Sequence, residues 1–182
     1  MQKGITVSNL SVCIVQSLLL LLQEKTLDEL SVKDIVEKAG VNRSTYYRHF
    51  TVKQDVVRHF YRLRLDEYLS TVAEDISPRD YLAGMFASFL CYKKELLLLD
   101  RRHLSHLLLE EMNSRIAQIH GDSGKATHSL SCNYHIGGVF NSFRYWLIEE
   151  MATPPTVLAD RCISFLPEDF SPYLLKNKEI ES

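Results

Sequence analysis

The chain has only four cysteines in 182 residues, Cys13, Cys91, Cys132 and Cys162, and no Cys-x-x-Cys pair. So few and so scattered, they do not describe a disulfide-stapled secreted scaffold, and reduced thiols in a cytoplasmic protein are expected. Glycine is also scarce, at seven residues, and no Gly-rich phosphate loop is present. GxSxG and HExxH strings are missing as well, so no local signature marks a nucleophile or a metalloprotease centre, and neither an enzyme activity nor a cofactor is expected. Long apolar runs are lacking. The best candidate, VCIVQSLLLLL (Val12–Leu22), is broken by Gln16 and Ser17 and is too short to span a bilayer. No small-x-small cleavage site follows it, which leaves a buried helix as the reading rather than a signal peptide or a membrane anchor. No single sign of charge dominates either: 21 Lys and Arg face 23 Asp and Glu, a net charge of −2 that points to no particular partner.

Hydrophobic residues are plentiful, at 46%. That suffices for a sizeable core in one domain or one domain with an appendage, and disorder is excluded as the default. The apolar positions suit a period of 3.6 throughout, so an all-α fold is expected. The first helix is predicted from Ser8 to about Lys25. Ser31 and Asp34 form a capping box that opens a helix burying Ile35, Val36 and Ala39, and Gly40 stops it. Asn42 is a good N-cap for the next helix, with Val41 and Tyr46 placed to act as a hydrophobic staple. Thr51 and Gln54 read as a second capping box, opening a long helix from about Val52 to Asp75. Ser77-Pro78 marks a boundary. Beyond it, helices are predicted over 79–92, 94–100, 103–119, 127–151 and 157–165, with HGDSGK (120–125) as the plain loop and Thr153-Pro154-Pro155 separating the last two.

Charge is unevenly distributed. Residues 1–64 carry ten Lys and Arg against six Asp and Glu, while the remainder carries eleven against seventeen. A basic front on an acidic body is an electrostatic footprint for nucleic acid, although a solvated surface produces the same imbalance. The order of signals in the front end is more specific. A helix of about eight residues, a tight turn containing glycine and a second short helix make a helix-turn-helix, whose second helix enters the major groove. That second helix is VNRSTYYRHF (Val41–Phe50), which is poor in aliphatic residues. On a helical wheel Tyr46 and Phe50 share the inward side. Ser44, Tyr47 and Arg48 project away from them, with Thr45 and His49 on a flank. Arg43, in the first turn, can reach base edges and bind guanine O6 and N7 with two hydrogen bonds. Tyr47, Thr45 and His49 suit phosphate or sugar contacts. Lys33, beside the Ser31 cap, points the same way, and Lys53 adds a cation at a helix start that favours phosphate. A polar surface helix of an ordinary bundle is the competing reading, and the succession of caps, turn and aromatic stop is what disfavours it.

The segment LSVKDIVEKAGVNRSTYYRHFTVKQDVV (Leu30–Val57) resembles the DNA-binding motif of the TetR family of transcriptional regulators. It keeps that pattern at Ala39, Gly40, Val41, Thr45, Tyr47, His49, Phe50 and Lys53. Tyr46 stands where the family usually has Phe or Leu and brings a hydroxyl that needs a partner. Val36 stands in place of the usual alanine. The resemblance implies base contacts from Lys33 and Arg43 and backbone contacts from Thr45, Tyr47, His49 and Lys53. It also implies a DNA-binding domain over 1–52 and a helical regulatory and dimerisation domain over 53–182. The product would be a homodimer on a palindromic double-stranded operator, probed by a small-molecule effector and with no membrane partner. FNSFRYWLIEEMATPP (Phe140–Pro155) is similar to the end of a branch that includes regulators of dihydroxyacetone kinase operons. Some members of that branch activate transcription with a partner, so a co-activator is the alternative to a repressor.

In the second half an effector pocket lined by Tyr81, Phe86, Phe89, Tyr92, His103, Phe140, Phe143 and Trp146 is expected, although helical spacing at 86/89 and 140/143 suits a plain aromatic core equally well. The two final helices are the expected dimer face, with Gly137 and Gly138 permitting close approach. A metal-responsive regulator is a further alternative. It would use His103 with His106 and Cys132 with His135, joined by Cys91 or His128, as nitrogen and sulfur ligands.

Overall fold

The computed structural model describes residues 7–73, 75–120 and 126–166, with side chains from residue 10 onward except 116, 119, 120 and 126–132. Among the described residues the chain is entirely helical. The elements are α1 (Val7–Leu21), α2 (Val32–Ala39), α3 (Arg43–His49), α4 (Lys53–Leu69), α5 (Pro78–Leu90), α6 (Lys93–Arg101), α7 (His106–His120), α8 (Ala126–Ile148) and α9 (Pro155–Ile163). No described helix is long and apolar enough to cross a membrane.

The front of the molecule is α1 packed on α2, α3 and α4. Ile14, Val15 and Leu18 of α1, with Leu22 just after it, bury against Ile35, Val36, Tyr46 and Phe50 in one continuous core. The rear is built from α4 against α5 and α7, α5 against α9, and α7 against α8. Helix α4 belongs to both halves. Its Val56, Val57, Phe60, Tyr61, Leu65 and Tyr68 are all buried. Its polar edge meets α7 through a ladder of ion pairs at one-turn intervals. Arg58 binds Glu110 at 2.7 Å and Asp55 at 2.9 Å. Arg62 binds both oxygens of the buried Glu111, at 2.7 and 3.0 Å. Arg115 binds Asp66.

A second tie joins the halves. The Arg102 guanidinium, at the end of α6, donates to the carbonyls of Leu22 at 2.7 Å and Gln23 at 3.0 Å. These carbonyls follow α1, where no further helical turn exists to satisfy them. The structure therefore ends α1 at Leu21, earlier than the sequence predicts, with tight turns at Gln23 and Glu24 accepted by Leu20 and Leu21. Helix α4 also ends early, at Leu69 rather than near Asp75. There the hydroxyls of Ser70 and Thr71 donate to the carbonyls of Glu67 and Tyr68, both at 2.7 Å, and so take acceptors that a continuing helix would use. The α8–α9 corner turns through Glu150 (φ 50°) and Met151 (φ 54°), two non-glycine residues in the left-handed region. It is pinned by the Trp146 indole N–H donating to Thr153 O at 2.7 Å.

Candidate nucleic-acid interface

The turn between α2 and α3 is closed at every backbone position that matters. Ser31 Oγ accepts the Asp34 N–H at 3.1 Å, and Asp34 accepts the Ser31 N–H at 2.8 Å, completing the capping box. Gly40 adopts φ 65°, and the Val41 N–H returns to Val36 O at 3.0 Å, the wrap-around that ends a helix at a left-handed residue. Asn42 Oδ1 then accepts the Thr45 N–H at 2.8 Å and starts α3. Helix α3 rests on Tyr46 and Phe50, buried with ring centroids 5.7 Å apart, as the wheel predicts. The Tyr46 hydroxyl is buried without a partner, and burial pushes its pKa up to about 12. The hydroxyl that distinguishes this chain from the usual motif is thus a local cost.

The outward face of α3 gathers Arg43, Ser44, Tyr47 and Arg48, all exposed, with Tyr47 at 59%. They form a stripe at i, i+1, i+4 and i+5. His49 lies half-buried at the edge, its ring 6.0 Å from Phe50. Ser31 and Lys33 are exposed on α2, and Lys33 reaches Glu37 at 3.7 Å. Two expected contact residues are placed otherwise. Thr45 is only 9% exposed, because it sits next to Tyr46 on the side of α3 that turns toward the core. Lys53 turns back over the chain. Its ammonium donates to Leu27 O and Leu30 O, both at 2.6 Å, and lies 3.4 Å from Asp28 O. The cation therefore clamps the turn ahead of α2 instead of standing free at the start of α4. The expected Thr51–Gln54 box is replaced by Asp55, whose carboxylate accepts the N–H groups of both Thr51 and Val52 at 2.9 Å.

The eight residues expected around an effector separate into two groups. Phe86, Phe89, Phe140 and Phe143 do line one apolar cavity, together with Met85 and Met112. Its volume is about 10 Å³, which is room for about one water molecule. The other four do not line it. Tyr81 is buried with an unpartnered hydroxyl. Tyr92 lies under the Arg64 guanidinium, 4.1 Å from the ring centre, and donates to Glu67 at 2.7 Å. Trp146 packs edge-on against Phe86 and Phe143 behind the cavity wall, and its indole N–H is committed to the α8–α9 corner. His103 is exposed in the α6–α7 turn with φ 59°.

That turn also corrects the expected His103–His106 pair. His103 precedes α7, so the two residues do not share a helical face, and the His106 Nδ1 sits 3.0 Å from the His103 carbonyl. Among the described residues no three His, Cys, Asp or Glu side chains converge as metal ligands. His128 and Cys132 lie outside the described side chains. His135 packs edge-on to Tyr134, with centroids 5.3 Å apart, and Cys91 is an exposed thiol.

Sequence reasoning treated Asn42 only as a cap. In the structure it is exposed and also bonds the Ser44 hydroxyl, which sits on the outward stripe. The short Asn-x-Ser spacing is the one signal that could have suggested it.

Comparison with known proteins agrees with this geometry. The profile of the family described as "Bacterial regulatory proteins, tetR family" matches residues 14–60. No curated protein matches the chain. Among solved structures, the fatty acid degradation regulator FadR from Bacillus halodurans is similar over 98% of this chain and 99% of its own, with a TM-score of 0.54 and 15% identity. The dihydroxyacetone kinase operon activator DhaS matches over 86% of this chain and 93% of its own, with a TM-score of 0.49 and 16% identity. At these identities FadR shares the fold and nothing narrower. With a helix-turn-helix spanned by the matched segment and an all-helical body behind it, this chain is a DNA-binding transcriptional regulator that carries the amino-terminal domain of the bacterial tetR family.

Proposed function

We propose that the protein is a homodimeric, effector-responsive repressor that binds a palindromic operator in the cytoplasm through α3. The observation that carries this reading is the open stripe of Arg43, Ser44, Tyr47 and Arg48 on a helix whose other side is anchored in the core. Arg43 is the base reader, Tyr47 and Arg48 the groove and phosphate contacts, with Ser31, Lys33 and His49 around them. The proposed division lies at residue 52, with α4 shared across it: the front domain binds DNA, and the remainder from Lys53 senses and dimerises.

Dimerisation through α8 and α9 is supported by apolar side chains that stand exposed among the described residues. Tyr134 is 76% exposed, Ile148 71% and Phe165 81%, on the side where nothing lies within 4 Å of a Cβ built on Gly137 or Gly138. Each helical glycine costs roughly 1 kcal/mol relative to alanine, and no neighbour among the described residues needs the space. A second backbone crossing there would use it. The two α3 helices of such a dimer would sit about 34–36 Å apart, one turn of DNA.

The effector acts on the apolar centre between α4, α5, α7 and α8. A drug-sized ligand needs on the order of 300–1,000 Å³, so this core must open to admit one, and Met85 and Met112 are the adaptable walls. Opening moves α7, and the ion-pair ladder carries that motion to α4 and the front domain. The effector shifts the population only as far as it binds the open state better.

Selection of purified protein on random duplexes tests the reading. Enrichment of a palindrome with half-sites one turn apart is expected, with Arg43→Ala losing preference at one position per half-site. Binding with no sequence preference, or an Arg43→Ala variant with wild-type affinity, would exclude α3 as the reader.

A further inference from the structure

Ser44 stands on the outward stripe of α3, and its hydroxyl has a fixed polarity. Asn42 Oδ1 accepts the Thr45 backbone N–H at 2.8 Å. A backbone N–H only donates, so the Asn42 atom facing it is the amide oxygen and not the amide nitrogen. The orientation of the side-chain amide is thereby settled by a neighbour whose role is not in question. Ser44 Oγ lies 2.7 Å from that same oxygen. One hydrogen joins the two oxygens, and an amide oxygen carries none. Ser44 therefore donates to Asn42 and presents only lone pairs to whatever lies outside.

We propose that Ser44 reads an exocyclic amino group in the major groove, adenine N6 or cytosine N4, and discriminates against guanine and thymine. A serine with a free hydroxyl suits either kind of base edge, because it can donate or accept. This one can only accept. Guanine O6 and N7 and thymine O4 are acceptors too, and would meet it lone pair against lone pair. Arg43, the residue before, has the opposite character, since a guanidinium only donates. Adjacent side chains of opposite polarity then specify a guanine and an amino base within one or two steps of each other in each half-site. The helix cap thus sets base preference as well as starting the helix. This inference rests on α3 being the helix that enters the groove.

The test uses the full-length protein. A duplex selection locates the enriched positions, and affinities are then measured on a four-base panel at each, for the wild type, Ser44→Ala and Asn42→Gly. Glycine is a tolerated N-cap, so α3 should survive the second change. If Asn42→Gly fails to fold, Ser44→Ala decides alone. The expected result is one position per half-site that prefers adenine or cytosine over guanine and thymine by about tenfold. Ser44→Ala levels the four bases there and nowhere else. Asn42→Gly frees the hydroxyl and raises guanine and thymine toward the amino bases, leaving the guanine read by Arg43 intact. The inference is overturned if the Ser44-dependent position prefers guanine or thymine, if Ser44→Ala changes no base preference, or if a folded Asn42→Gly protein discriminates as the wild type does. Enrichment that depends on Arg43 but not on Ser44 sinks this inference alone, whereas no enrichment at all sinks the operator-binding reading with it.

Discussion

Replacing Lys53 separates two roles that a lysine at the start of α4 could have. In the structure its ammonium is committed to Leu27 O and Leu30 O at 2.6 Å. These carbonyls belong to the turn between α1 and α2, which has no strand or helix to satisfy them. Hydrogen bonds from a charged donor contribute about 1.5–3 kcal/mol each. With two short bonds at a half-exposed site, Lys53→Met should cost ~2–4 kcal/mol, the methionine keeping the apolar stem and removing only the donors. Against a total of about 5–15 kcal/mol for a typical domain that is a substantial fraction. Urea unfolding followed by helical circular dichroism reads it directly: a midpoint lower by ~1–2 M is expected for an m-value of about 1–3 kcal/mol per molar. Lys53→Arg should recover only part, because a planar fork cannot converge on the carbonyls as an ammonium does. A lysine serving only as a phosphate contact would behave differently. Its loss would leave the midpoint unchanged and lower the slope of log affinity against log salt by roughly 0.9. That pattern would refute the clamp.

Tyr46→Phe removes a buried hydroxyl that has no partner and should raise stability by up to ~1 kcal/mol, seen as a higher melting temperature; a loss of comparable size would mean the hydroxyl is satisfied after all. Burial, helped by the nearby positive charge of Arg62 and His49 and offset in part by Glu111 and Asp66, holds the His59 imidazole below its ordinary pKa beside Ser11, 3.1 Å away. The unfolded chain therefore takes up the proton more readily, and stability should be complete above about pH 6.5 and fall as the pH drops below it. Melting temperatures at pH 7.5 and 5.5 should differ less in His59→Gln than in the wild type, and parallel losses would disprove the assignment. Glu150→Gly relieves a left-handed backbone at an exposed corner and should stabilise by about 1 kcal/mol in thermal unfolding; destabilisation would show that the side chain, not the backbone, matters there.

The parts of the fold that depend on near neighbours were legible. Ser31 with Asp34, Gly40 and Asn42 are caps whose partners lie within a few residues, and all three act as the spacing predicts. Tyr46 and Phe50 point inward because four residues is one turn. Lys53 was not legible, since its acceptors are carbonyls 23 to 26 residues earlier. Arg102, which ends α1 from the far half of the chain, was hidden for the same reason. The His103 turn carries neither glycine nor proline, so nothing in the string announced a left-handed residue ahead of α7. In the rear core, helical spacing at 86/89 and at 140/143 placed each pair on one helix face, and only the structure brings the two pairs together. Spacing could not say that Tyr92 and Trp146 spend their polar atoms elsewhere. On the DNA face, the residue types were plain while their polarity was not. That Ser44 can only accept follows from an amide orientation that only coordinates give.

The grip of Arg102 on Leu22 and Gln23 bears on how freely this front end can be recombined. The segment that the family profile recognises stops at residue 60, forty-two positions before the arginine that closes its first helix. A chimera that joined this DNA reader to a different sensor would carry the recognition helix intact and leave the two carbonyls just after α1 without their donor. The transplant would need a cation at the matching corner of the new body, or a rebuilt end to α1, before its specificity could be inherited. Parts that are separate in the sequence record are, at this corner, one mechanical piece.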